Sequence, residues 1–221
     1  MTPGPLTPEE HPFPLTDTDR YVLSLTDDDY VKHDWEELKS IIKANDLAVL
    51  KRKPSDLRRY MKWTADTKTE YGSITNYLIA HRLPKTWGSP PYIPISTTPF
   101  AELGDYCVLT NDWPYGLADD ITHIVVWTRA LIPIDDGTGD MTPESRALVA
   151  AFVQRYFVDR LDCEASGSRK DGQDRVLWFK NWAQLQSVRQ LEHIHVLVRN
   201  ASADLIKAWT EEFPCHKVDA V

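Results

Sequence analysis

Apolar residues recur at two different periods along this chain, and the change falls near residue 85. Before it the spacing is helical. In DWEELKSIIKAN, Trp35, Leu38, Ile41 and Ile42 share a face behind Asp34, a ready N-cap. DLAVLKR makes a short turn. PSDLRRYMKWTADTKTEYG opens on a Pro-Ser start signal, sets Leu57, Tyr60, Met61 and Thr64 on one side and ends at Gly72. SITNYLIAHRL predicts one more helix, stopped by Pro84. The stretch 84–100, PKTWGSPPYIPISTTPF, holds too many prolines for regular structure and reads as a connecting loop.

Beyond residue 105 the period becomes two. DYCVLTND and THIVVWTR predict strands rich in β-branched residues, as do RVLWFKN and HIHVLVRN. IDDGTGD is a turn, EASGSRKDGQD a loop, and ASADLIKAWTEEF a closing helix. Between the strand pairs, TPESRALVAAFVQRYFVDRL is the clearest helix, with Thr142 as cap, Pro143 at the first position and a stripe of Leu148, Val149, Phe152, Val153 and Tyr156. Helices followed by β-β-α-β-β-α predict an α+β fold with an antiparallel sheet and an N-terminal helical subdomain. The boundaries are a flexible arm over 1–30, rich in Pro, Thr and acidic residues, then one α+β domain over 31–221. That domain divides into a helical part (31–85), a Pro-rich connector (86–104) and a sheet part (105–221).

Composition narrows the function classes. With 221 residues, 42% of them hydrophobic, the chain can bury a full core without metals or disulfides. A formal net charge of −8 argues against a nucleic-acid partner. No run approaches the ~18 apolar residues of a membrane span, and no secretory signal precedes the arm. Three widely spaced cysteines predict reduced thiols and a cytoplasmic protein. Eight tryptophans call for a large core, an aromatic-lined pocket, or both. A small-molecule substrate is the expected partner; a homodimer is compatible. No cofactor or metal is called for.

Candidate chemistry gathers on two strands. A side-chain period of two puts His193, His195, Leu197 and Arg199 on one face and Ile194, Val196 and Val198 on the other, the core face. The same split in THIVVWTR puts His123, Val125, Trp127 and Arg129 together. If the strands pair, His123 nears the other two histidines. Three readings stand for them: ring-shaped members of a buried polar network, a metal site, or an acid–base or nucleophilic pair in which one imidazole orients the other. NDWPYG sets Asn111, Asp112, Trp113 and Tyr115 at a strand end, as a tight turn or as the rim of a ligand pocket with Trp127. Lys180 and Ser187 flank the histidine strand and either hold an anion or sit on the surface.

YGSITNYLIAHRL, NDWPYG followed by HIVVWTR, and VLWFKNWAQLQSVRQLEHIHVLVR, in this order, resemble the fungal family named for N-acetylglucosamine-induced protein, over roughly residues 30–212. That name records an expression response and implies no reaction. A second likeness carries chemistry. QSVRQLEHIHVLVR resembles the end of a histidine-triad hydrolase or transferase, with a rim at 114–116. It implies a histidine-triad-like sheet, with His193 as the first triad position, His195 as nucleophile towards an α-phosphate, and Ser187 as a phosphate contact. Leu197 departs from the His or Gln of the third position and removes a donor; Lys180, Arg199 or His123 would have to compensate. The leading expectation is a nucleotidyl or phosphoryl transferase or hydrolase acting on a nucleotide or nucleotide sugar. The alternatives are a cofactor-free cyclase or isomerase of an apolar substrate, in fungal secondary metabolism, and a non-catalytic metabolite-binding protein.

Overall fold

A computed structural model describes residues 11–164, 171–182, 186, 188 and 191–211. Its helices are α1 (Asp17–Ser24), α2 (Trp35–Ala44), α3 (Pro54–Tyr71), α4 (Ile74–His81), α5 (Pro143–Val153), α6 (Asp159–Glu164) and α7 (Ala203–Glu211). Its strands are β1 (Tyr106–Thr110), β2 (Ile121–Thr128), β3 (Val176–Phe179) and β4 (Glu192–Arg199), in one antiparallel sheet of order β1-β2-β4-β3. The α+β class and the antiparallel sheet stand as the periodicity predicts.

Local chemistry explains the element ends. The Asp34 carboxylate accepts from the Glu37 amide at 2.8 Å and starts α2. Gly72, with φ of 78°, closes α3 in the left-handed region that a side chain resists. Thr142 caps α5. A five-residue π turn, Gln154–Val158, joins α5 to α6 and turns Tyr156, Phe157 and Val158 into the core.

Three details depart from the sequence reading. Residues 17–24, expected within a flexible arm, form a helix with a reciprocal Thr16–Asp19 capping box, and Val22 packs under α3. Leu148, expected in the α5 stripe, is exposed. Cys107, expected as a reduced thiol, is disulfide-bonded, whereas Cys163 is free and exposed.

The sheet is covered on both faces. Ile124, Val126, Ile194, Val196 and Val198 pack against α5, the π turn and α7, and make the main core. The opposite face carries the histidines and receives the helical part. There α2 lays Trp35, Leu38 and Ile41 over Phe179 and Leu197, while Leu78 and Trp87 meet Leu109, Val125 and Trp127. Among the described residues no helix is long and apolar enough to cross a membrane.

The two parts are stitched by backbone around Gly116. His33 N donates to Gly116 O at 2.9 Å, Gly116 N to Lys51 O at 2.9 Å, and Ala118 N to His33 O at 3.0 Å. Tyr30 Oη donates to Lys51 O at 3.0 Å, over the same spot. A Cβ at Gly116 would stand 2.2 Å from that oxygen and 2.6 Å from two ring carbons. Gly116→Ala must therefore displace a buried ring, and overpacking of this kind costs about 1–3 kcal/mol. We expect a lowered urea midpoint, with Gly116→Ala plus Tyr30→Leu recovering part of the loss. A single Gly116→Ala variant as stable as wild type would refute the clash.

Candidate functional site

The antiparallel register opposes Val125 to His195 and Trp127 to His193, so the three histidines stand on one face. His123 and His195 are diagonal neighbours, and their Nε2 and Nδ1 atoms lie 2.9 Å apart. Phe179, opposite His195 on β3, stacks on its ring at 4.9 Å and 13°. Trp127 lies against His193, with centroids 4.5 Å apart, and Tyr115 stacks on His123 at 5.3 Å.

Above these rings α3, α4 and the 110–116 turn leave a cavity of about 140 Å³. That is the size of a space that holds one aromatic ring, smaller than the clefts that take drug-sized ligands. His193, His195 and Trp127 form its floor. Asn111, Asp112, Trp113 and Tyr115 line it as the predicted rim. His123 stands directly behind His195.

The hydrogen bonds give the imidazoles different roles. His193 Nδ1–H donates to Leu191 O at 3.1 Å, which fixes the tautomer and leaves a lone pair on Nε2. That atom has no hydrogen-bond partner among the described residues. His195 is engaged at both nitrogens, since the Asn181 side-chain amide nitrogen is 3.2 Å from its Nε2. Two neutral imidazoles in contact share one bridging proton. The Asn111 amide nitrogen is 3.3 Å from both ring nitrogens of His123, a position over the ring face and not in its plane. Asn181 Oδ1 is buried without a partner. A half-turn of this amide would offer the oxygen to His195 Nε2–H and to the Tyr115 hydroxyl, and would satisfy the group.

Electrostatics keep the cluster uncharged at neutral pH. Desolvation lowers His123 to about 3, with the nearby Arg52 charge adding to it. Desolvation lowers His193 to about 4, opposed by the Leu191 carbonyl. His195 falls well below its ordinary value, first through burial and then through the charges of His123, His193 and Arg52. Asp112 is raised by burial, against the pull of Arg82, whose Nη2 is 3.0 Å from its carboxylate.

Two expected anion contacts are elsewhere. Lys180 follows Phe179 and so turns to the other side of the strand, where it meets Glu192 at 3.2 Å. Arg199 lies at the far end of β4 and pairs with Asp120 at 2.7 Å. Neither lines the cavity. Ser187 lies outside the described residues. Leu197, at the position where a triad would place its third polar group, is fully buried under α2. Among the described residues no three His, Cys, Asp or Glu side chains converge as a metal ion would need.

Residues that the strand pattern did not nominate complete the site. Asn181 comes from the segment after β3. Arg52 precedes α3, with Nε donating to Trp113 O at 3.2 Å and its guanidinium 4.2 Å from the Tyr60 ring centroid and 5.4 Å from that of Tyr115. Tyr60 and Trp63 of α3 and Leu78 and Arg82 of α4 close the roof.

Known proteins are similar to this chain. A Candida albicans relative, N-acetylglucosamine-induced protein 1, is 26% identical over 181 residues, covering 75% of this chain and 68% of its own. A Saccharomyces cerevisiae relative, uncharacterized protein YPL067C, is 27% identical over 186 residues, covering 82% and 88%. The crystal structure of HTC1 superposes with a TM-score of 0.63 at 25% identity, over 83% of this chain and 96% of that one. The family described as "Protein of unknown function (DUF3605)" matches residues 34–199, from the cap of α2 to the last residue of β4. The chain belongs to this DUF3605 family, and it is similar to the fungal proteins that its three motifs resemble.

Proposed function

We propose that the cavity is the active site of a cofactor-free enzyme that moves a proton within a small unsaturated carbonyl compound, as an isomerase or cyclase does. The observation that carries this reading is His193 Nε2. It is an unprotonated imidazole nitrogen in the wall of an aromatic cavity, oriented by the Leu191 carbonyl and without a hydrogen-bond partner among the described residues. With its conjugate acid near 4, it is almost wholly unprotonated at pH 7. It accepts a proton acidified by an adjacent carbonyl and returns it to a second carbon or to oxygen, so no co-reactant is consumed. Asn181 and His195 stand beside it as hydrogen-bonding groups for that carbonyl, and His123 positions His195 from behind.

This exchanges the roles expected of the two histidines. Nucleotidyl transfer through His195 has less support, because both nitrogens of that ring are engaged and Leu197, Lys180 and Arg199 bring no donor to it. The test is solvent exchange. Wild-type protein in D2O is mixed with enolisable 2-oxo acids and unsaturated ketones, and loss of the α- and γ-proton signals is followed by NMR. His193→Gln is expected to slow exchange by ~10²–10⁴-fold, the usual contribution of a positioned acid–base group. Exchange equal to a protein-free blank, or unchanged in His193→Gln, rejects the proposal; binding without exchange turns the site into a metabolite sensor.

A further inference from the structure

We infer that the ligand of this cavity is a small planar organic carboxylate, seated on the open fork of Arg52 with its unsaturated body over Trp127. This rests on reading the cavity as the substrate site and adds the class of molecule.

The argument is one of charge and pre-organisation. Among the described residues, two guanidinium groups, Arg52 and Arg82, reach the cavity, and one carboxylate does. Asp112 is taken by Arg82. Arg52 has no carboxylate partner among the described residues. Its Nε is tied to the Trp113 carbonyl, and the Tyr60 and Tyr115 rings lie against its plane. The fork is thus held in one orientation without its charge being neutralised, the arrangement suited to bidentate recognition of a carboxylate. The neutral histidines below do not compete for it, and a charge at Arg52 already disfavours their protonation. A single excess positive charge matches a monoanion. A phosphate monoester would bring a second negative charge to a cavity with no second unpaired cation among its described lining residues. The volume of about 140 Å³ limits the body to roughly one ring or a short conjugated chain. The two features also act together: a carboxylate on Arg52 offsets the charge that helps to depress His123 and His195, the pair that stands beside His193.

Isothermal titration of the full chain with matched probes tests this without any turnover. Benzoate and cinnamate are compared with benzamide, cinnamamide and phenyl phosphate. We expect the carboxylates to bind at least about tenfold more tightly than their amides, the discrimination typical of one charge-assisted bidentate contact. Arg52→Gln is expected to collapse that ratio to near unity, and Arg52→Lys to keep part of it, with melting temperatures confirming that both variants fold. His193→Gln should keep the full preference. Preference retained there without proton exchange in the wild type would reject the proton-transfer reading and leave the ligand class standing. The inference is overturned if wild type binds amides as well as acids, if it prefers the phosphate ester, if Arg52→Gln leaves the ratio intact, or if no carboxylate binds up to about 10 mM.

Discussion

Stability is expected to fall steeply as pH drops below 6.5, well above the range in which carboxylates titrate. His123, His193 and His195 are buried, and all three are held below their ordinary value of 6.5, His123 at about 3 and His193 at about 4. Above pH 6.5 neither the folded nor the unfolded chain protonates them, and stability is level. Below it the unfolded chain binds protons that the folded chain refuses, so unfolding gains. Each proton contributes about 1.4 kcal/mol per pH unit, and three together about 4. His33, also lowered by burial, adds to the slope. Domains of this size have roughly 5–15 kcal/mol in total, so about 6 kcal/mol lost by pH 5 unfolds a protein at the low end of that range and leaves one at the high end folded to lower pH. The three rings titrate as a coupled set, and the summed uptake is the quantity to measure. Urea denaturation at intervals between pH 7.5 and 5 gives it directly, and His193→Gln should lower the slope by about a third. A level profile across pH 6.5 to 5 would mean that the folded protein takes up these protons as readily as the unfolded chain, and would refute the depressed values.

Asp105→Ala is expected to cost about 3–5 kcal/mol, the loss typical of removing one partner of a buried ion pair. The Asp105 side chain is fully buried just before β1. Its carboxylate accepts from Ile95 N and Ser96 N at 2.8 Å each and from Arg129 Nε at 2.7 Å. Burial pushes its pKa upward, but those three donors outweigh it, and the group stays below the usual carboxylate range. The alanine variant leaves Arg129 only 12% exposed and without its counter-charge. It also releases the proline-rich connector from the end of the sheet. A melting temperature lower by about 10 °C is the expected reading, with early proteolytic cleavage between residues 93 and 100. Asp105→Asn, which keeps an acceptor, should lose less. Equal stability of Asp105→Ala and wild type would show that the connector is held by its other contacts.

The sheet and its histidine face were legible because a period of two is a local property. Ile194, Val196 and Val198 name the core side of β4 by themselves, and the splitting of THIVVWTR places His123 on the side of His195. Helix ends were legible for the same reason, through Asp34, Gly72 and Thr142. α1 was missed because its capping box uses Asp19 in place of Glu or Gln, within a stretch whose prolines suggested an arm. Arg52 and Asn181 were not nominated, since what makes them site residues is where α3 and the end of β3 come to rest. Lys180 was misplaced although the signal existed: it sits one residue past Phe179 and therefore on the side of Glu192. The π turn leaves no mark at all in the apolar stripe, which continues through it.

The floor of the cavity comes from β2 and β4 and its roof from α3 and α4. Docking of the helical part onto the sheet and occupancy of the cavity are therefore one linked equilibrium. A compound that needs both walls raises the docked population by mass action, by about 2.7 kcal/mol at a hundredfold excess over its Kd. A rise in melting temperature with ligand concentration thus becomes a search tool that requires no knowledge of the reaction. Conversely, substitutions in the roof that touch no catalytic group, such as Leu78→Ala, weaken ligand affinity by loosening the lid before they unfold the sheet.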